Sequence, residues 1–185
     1  MIQYKKYYMP GTKEELLKTI DTIDCTYDIL AGGTDLYAKE KTPFNGADAA
    51  IDISGIKEFS VIELKKDEGL ITFGSNICIQ QFLEEKVLME NVPILRHAAI
   101  YFADQQIREM ATVGGNVANS SPSGDTIAPL TVLEAVIHTI TSKDNKICEK
   151  ETPITEFITG VGKNLLEKGE VISSITCPVL KEYGC

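Results

Sequence analysis

The sequence has no apolar run long enough to span a bilayer. Its opening, Met1-Ile-Gln-Tyr-Lys-Lys, lacks the order of charged, apolar and small residues that marks a secretion signal. Basic residues are scarce: 18 lysines and arginines stand against 27 acidic residues, a formal net charge of -9. A nucleic-acid surface needs a basic face, and an anionic membrane repels such a chain, so neither is expected as a partner. No two of the five cysteines, Cys25, Cys78, Cys148, Cys177 and Cys185, form a Cys-x-x-Cys pair, and their number is odd. That argues against metal or iron–sulfur ligation and fits reduced thiols in the cytoplasm. Internal repeats and low-complexity tracts are also missing.

What is present is an ordinary globular composition, 43% hydrophobic and 24% charged, over 185 residues. That length fits one domain or two small lobes with a real core. A β-prone opening at 4–9 leads to the turn Pro10-Gly11. Thr12-Lys-Glu-Glu15 is a capping box, and Leu16, Leu17 and Ile20 put an apolar stripe on the helix behind it. Strands are expected at 27–31 and 49–53, which makes a small β-α-β lobe with parallel pairing. Beyond it, 59–64 and 70–74 read as a hairpin, 79–87 and 93–103 as helices, and 135–141 and 146–150 as a second hairpin. Thr152-Pro153 starts a short helix at 154–158, and 170–178 is the last strand.

One stretch organises the rest: Ala111-Thr-Val-Gly-Gly-Asn-Val-Ala-Asn-Ser-Ser-Pro-Ser-Gly-Asp-Thr126. It holds three glycines, two asparagines, three serines, two threonines and an aspartate, with no lysine or arginine. Glycine lets a ligand touch the main chain, and hydroxyls and amides supply neutral donors and acceptors. The apolar pattern at 126–133 predicts that this loop feeds a helix whose N-terminus faces back toward it, an anion site. The alternative is a plain surface loop. A second loop, Ile29-Leu-Ala-Gly-Gly-Thr-Asp-Leu36, follows a buried strand. Two such loops suggest one long ligand with a diphosphate and several sugar hydroxyls.

The pair Ala31-Gly-Gly-Thr-Asp-Leu36 and Thr112-Val-Gly-Gly-Asn-Val-Ala-Asn119, with Ser121-Pro-Ser-Gly-Asp125 after it, resembles the flavin subunit of the molybdenum hydroxylases. The resemblance runs along the whole chain, and the xanthine and carbon monoxide dehydrogenase flavoproteins are members of that family. It implies an α+β fold of the p-cresol methylhydroxylase and vanillyl-alcohol oxidase type, a two-lobed FAD-binding domain. A small β-α-β lobe would occupy 1–55 and a larger, mainly antiparallel α+β lobe 56–178. A tail, 179–185, would stand where the family's C-terminal domain begins. That domain covers part of the flavin, so a more exposed ring and weaker FAD retention are expected.

The resemblance also implies a division of labour. A molybdopterin-containing large subunit oxidises substrate, a 2Fe-2S small subunit carries electrons, and the FAD collects them for NAD+ or another acceptor. The implied cofactor-binding residues are Ile29, Leu30, Ala31, Gly32, Gly33, Thr34 and Asp35 from the first motif. The second supplies Thr112, Gly114, Gly115, Asn116, Asn119, Ser121, Gly124 and Asp125. Phe102 and Ala103 fall near the adenosine end, and Val171 and Ile172 lie against the isoalloxazine.

Each role has a plainer rival. Thr112 and Asn116 could cap their own loop, Asp125 could cap the next helix, and Phe102 could be core. Arg108 reads as a partner for surface carboxylates more than for phosphate. His97 and His138 sit among apolar neighbours and read as structural, not as covalent flavin attachment points. No catalytic acid, base or metal ligand stands out. Gly160-Val-Gly-Lys163 fits neither a dinucleotide fingerprint nor a Walker motif. Two further readings stand beside the main one: a scaffold subunit that has lost FAD, and a stand-alone flavin oxidoreductase.

Overall fold

The computed structural model describes residues 4–38, 47–144 and 146–179, and of residues 37 and 38 only the backbone. The opening lobe is built as the pattern implies. Strand β1 (Lys6–Tyr8) is followed by helix α1 (Lys13–Thr22), β2 (Tyr27–Leu30), the short helix α2 (Thr34–Ala38) and β3 (Ala49–Asp52). The strands form a parallel sheet in the order β1-β3-β2. Thr12 Oγ1 accepts from Glu15 N, and the Glu15 carboxylate reaches back to Gly11 N at 2.7 Å. The central strand β3 is covered on both faces, with Ala49, Ala50 and Ile51 fully buried.

The larger lobe is a five-stranded antiparallel sheet. Its strands are β4 (Ile62–Lys65), β5 (Leu70–Gly74), β6 (Val136–Lys143), β7 (Lys146–Pro153) and β10 (Val171–Pro178), in the order β4-β5-β10-β6-β7. Between β5 and β6 run six short helices: α3 (Gln81–Glu84), α4 (Lys86–Asn91), α5 (Pro93–Tyr101), α6 (Gln105–Met110), α7 (Val113–Asn119) and α8 (Ile127–Val132). After β7 come α9 (Ile154–Phe157) and a small hairpin, β8 (Ile158–Gly160) with β9 (Lys163–Asn164). The helices share one core with Ile71, Phe73, Ile137 and Ile175 of the sheet.

A second core lies under the small sheet. It joins Leu16, Leu17, Ile51, Ile53, Ile56 and Phe59 to Ile140 and Val171 of the large sheet. The two lobes are therefore packed together through shared side chains. A division at 55 separates the two sheets in sequence but not their cores. Strand β10 carries a bulge between Ile172 and Ser174. Bulges re-aim side chains beside sites. Here Val171 joins the small-lobe core and Ile172 the large-lobe core, both 4% exposed.

The structure departs from the sequence pattern in several places. Residues 113–119 form a helix and not a loop, because Thr112 caps it and accepts from Gly115 N. The helix expected at 79–87 is two, broken at Glu85, whose ψ of 111° is extended. Phe59 lies in a 3-10 turn, Lys57–Ser60, where its side chain fills the small-lobe core. Strand β7 runs on to Pro153, and Gly160-Val-Gly-Lys163 turns the β8–β9 hairpin. Of the expected turn at 143–145, residue 145 lies outside the described residues, as do 180–185 of the tail.

Candidate functional site

The first glycine motif turns where β2 ends. Gly33 has φ +71°, a conformation that L side chains rarely adopt. Gly32 is needed for a different reason: a Cβ there would lie 1.8 Å from the carbonyl oxygen of Met110. The turn is thus seated on the main chain that leads into the second motif. The amides of Gly33, Thr34 and Asp35 have no hydrogen-bond partner among the described residues. The opening amides of a helix lack partners inside it.

The second motif is packed just as closely but uses its amides internally. Val113 N donates to Ile77 O, Gly114 N to Ser75 O, Gly115 N to Thr112 Oγ1 and Asn116 N to Thr112 O. A Cβ on Gly114 would lie 2.5 Å from Ser75 Cβ, so the glycine permits α7 to press against the end of β5. The Asn116 side chain accepts from Thr126 Oγ1 at 2.6 Å.

Between the two motifs lies a cavity of about 290 Å³. Of the residues singled out from sequence, Ile29, Ala31, Gly32, Gly33, Thr34 and Asp35 line it from one side. Thr112, Gly114, Gly115, Asn116 and Asn119 line it from the other, and Phe102, Val171 and Ile172 complete it. The structure places five residues elsewhere. Leu30 is 8% exposed and packs inward. Ala103 sits at φ +36° in the turn after α5, outside the lining. Ser121, Gly124 and Asp125 form the turn after α7, where Ser121 O accepts from Gly124 N. Asp125 is exposed, and Thr126, not Asp125, precedes α8. Helix α8 adds nothing to the lining, so the anion site expected at its start does not face the cavity.

Sequence reasoning missed Asp28, Leu36, Ile53, Ser75, Asn76, Ala111, Ala118, Leu166 and Glu170, all of which also line the cavity. The Glu170 carboxylate accepts from Thr139 Oγ1 and, at 2.9 Å, from Glu167 N, with Lys150 Nζ 3.9 Å away. Asp28 accepts from the Tyr4 hydroxyl. Among the described residues the lining holds no lysine, arginine or histidine.

Three expectations are corrected. Among the described residues Arg108 pairs with no carboxylate: Nη1 donates to the carbonyls of Phe102 and Ala103, and Nε to Gln80 Oε1. Its work is to hold the turn after α5. His97 is exposed, its ring edge-on to Tyr101 at 5.7 Å. His138 is half-buried in polar company, with Nε2 2.7 Å from Thr176 Oγ1.

Two glycine motifs joined across one cavity set the frame for comparison with known proteins. Residues 2–180 match the family described as the FAD binding domain in molybdopterin dehydrogenase. The chain belongs to this family. Among curated proteins it is similar to the nicotinate dehydrogenase FAD-subunit of Eubacterium barkeri, with 28% identity over 92% of this chain and 57% of that protein. It is also similar to the xanthine dehydrogenase FAD-binding subunit of Escherichia coli O157:H7, with 31% identity over 81% and 50%. Among solved structures it superposes on a carbon monoxide dehydrogenase from Hydrogenophaga pseudoflava that lacks the Mo-pyranopterin moiety of its cofactor. That match has a TM-score of 0.88 at 26% identity, and covers 97% of this chain and 61% of that one. The chain spans about half the length of the curated relatives it matches.

The fold is therefore that of the family's FAD-binding domain. The cavity itself suits such a group. Main chain is brought close at Gly32 and Gly114. Amides stand open at Gly33 to Asp35, and Phe102, Val171 and Ile172 give an apolar wall. Two buried oxygens, Ser75 Oγ and Asn76 Oδ1, lack partners among the described residues.

Proposed function

We propose that this chain is the FAD-holding part of the flavin subunit of a molybdenum hydroxylase. In this reading a molybdopterin-containing large subunit oxidises the substrate and a 2Fe-2S small subunit delivers electrons. The flavin domain passes them to NAD+ or another acceptor, in the cytoplasm. When bound, FAD supplies the chemistry, because a flavin takes up electrons singly and releases them in pairs. The observation that carries the reading is the meeting of the two glycine motifs, distant in sequence, on one cavity with an apolar wall. The family is described as a domain of molybdopterin dehydrogenase, two of the relatives are FAD subunits by name, and the solved relative is named for its molybdenum cofactor, which supports the partners proposed.

The chain's own residues bind and orient. The open main-chain amides of Gly33, Thr34 and Asp35, with the side-chain amide of Asn116, are assigned to the diphosphate. The Asp35 carboxylate and Asn119 are assigned to sugar hydroxyls, which a carboxylate or amide can match as acceptor. Val171 and Ile172 would supply the apolar wall beside the isoalloxazine and keep water from it. Phe102 faces the adenine end. No side chain is assigned a proton-transfer role.

The visible absorption spectrum of the purified chain, with the released chromophore identified by chromatography, tests the reading. Flavin bands and released FAD are the expected result. A colourless chain that takes up no added FAD would overturn the flavin role and leave a scaffold.

A further inference from the structure

Two residues of the cavity wall, Ser75 and Asn76, each carry a buried side-chain oxygen with no partner among the described residues: Ser75 Oγ and Asn76 Oδ1. The segment that carries them is tied down by its main chain. Ser75 N donates to Ser173 O at 3.0 Å, Asn76 N to Phe59 O at 2.8 Å, and Ser75 O accepts from Gly114 N at 2.9 Å. Just before them, Gly74 is packed so tightly that a Cβ would meet Phe59 O at 2.0 Å. Asn76 Nδ2 donates to Ile53 O at 2.6 Å, which ties the large lobe to the small one. That bond fixes the amide's orientation and leaves Oδ1 as its unmatched end. Ser75 is only 3% exposed, so water offers it little compensation. Buried polar atoms without partners are uncommon, and each calls for a physical reason.

We propose that Ser75 and Asn76 are ligand-binding residues: Ser75 Oγ donates to a diphosphate oxygen, and Asn76 Oδ1 accepts from a ribityl hydroxyl. The proposal rests on the flavin reading above. The assignment follows from donor and acceptor type. A diphosphate only accepts, so it pairs with the hydroxyl and not with an amide oxygen. Asn76 Oδ1 only accepts, so it needs a donor, and ribityl hydroxyls neighbour the diphosphate in the dinucleotide. Ser75 also stands against Gly114, inside the second glycine motif. A neutral pair of this kind suits a wall that has no lysine, arginine or histidine among the described residues.

The test compares flavin-free Ser75→Ala, Asn76→Leu and parent chains for thermal stability and for FAD affinity by flavin fluorescence quenching. ADP, which has the diphosphate but no ribityl chain, serves as a competing probe. Ser75→Ala removes an unpaired buried hydroxyl, so its flavin-free melting temperature should hold or rise. Its FAD and ADP dissociation constants should both rise, by roughly 5- to 30-fold. Asn76→Leu should weaken FAD similarly and leave ADP unchanged. If Asn76→Leu fails to fold, Ser75→Ala carries the decision. Parental FAD affinity in a folded variant overturns the proposal, and so does a Ser75→Ala chain of lowered flavin-free stability. A parent chain that takes up no FAD overturns the flavin reading and this proposal with it. That case is distinct, because the control fails and not only the variants.

Discussion

Thr126 donates its hydroxyl at 2.6 Å and its backbone N–H at 3.4 Å to Oδ1 of Asn116, and the N–H, which can only donate, settles which end of the Asn116 amide is free. Oδ1 is held toward the turn after α7, and Nδ2 is the end left for the cavity that Asn116 lines. An amide donor next to a diphosphate is useful, whereas a carboxylate in the same place would repel it. Asn116→Asp keeps the shape and can keep the bond to Thr126. The melting temperature should therefore change by no more than about 2–4 °C, an effect of about 1 kcal/mol. FAD affinity should fall by about tenfold or more, because a donor is lost and a like charge gained, together worth about 1.4 kcal/mol or more. Fluorescence titration and a thermal scan on one preparation check both halves. A variant that binds FAD as the parent does would remove Asn116 from the diphosphate site.

The adjacent glycines of the second motif should behave differently. A Cβ on Gly114 meets Ser75 Cβ at 2.5 Å and the Ser75 carbonyl oxygen at 2.7 Å, and that backbone is pinned. Gly114→Ala should cost about 3 kcal/mol, the upper part of the usual overpacking range. That corresponds to roughly 6–12 °C in melting temperature for a chain of this size. A Cβ on Gly115 meets only the Thr112 hydroxyl, at 2.9 Å. Swinging that hydroxyl away forfeits a cap worth about 1 kcal/mol, while alanine in a helix regains about 1 kcal/mol over glycine. Gly115→Ala should therefore be nearly neutral for stability. Paired denaturant melts decide it: equal losses in the two variants would contradict the packing argument.

Ionic strength gives an independent check on how an anion is held. The lining has no lysine, arginine or histidine among the described residues, and the whole chain carries a formal charge of -9. Salt cannot screen an attraction that is absent, and it does screen repulsion between FAD and the acidic surface. Raising sodium chloride from about 50 to about 500 mM should leave FAD affinity unchanged or tighten it modestly. Weakening of about tenfold would mean that cations reach the diphosphate.

Much of the architecture was legible because it rests on local rules. The Thr12 box, the Leu16–Leu17 stripe and the strands at 70–74 and 170–178 appear where the sequence puts them. The two glycine motifs were legible as a pair, and most of their residues line one cavity. The helix at 113–119 was not, since Gly114 and Gly115 lower helix propensity. What decides it is the Thr112 cap and contact with Ser75, which lies far away in sequence. Ser75 and Asn76 had no signal at all: two small polar residues after a strand look like a turn. Their meaning comes from the burial of their unpaired oxygens, a tertiary property. Arg108 misled for the opposite reason, because its charge suggested an ion pair while its geometry serves backbone carbonyls.

Cys177 links the core to pH. Its side chain is fully buried in β10, and burial pushes the thiol up to about 12 from its ordinary 9.0. Below pH 9 the thiol is protonated in both the folded and unfolded chains, so it adds no pH dependence. Between about 9 and 12 the unfolded chain gives up this proton while the folded chain keeps it. The unfolded state then binds fewer protons, so stability falls as pH rises, by about 1.4 kcal/mol per unit at most. Near pH 10.5 this one group should have removed about 2 kcal/mol. Cys177→Ala loses some packing at every pH, so absolute stabilities do not decide the matter; the slopes do. Urea melts from about pH 7 to 10.5 should show a shallower alkaline decline in Cys177→Ala than in the parent. Tyr27, whose hydroxyl is also pushed up by burial, contributes equally to both chains and cancels in the comparison. Parallel slopes would show that the thiol is not held neutral by the fold.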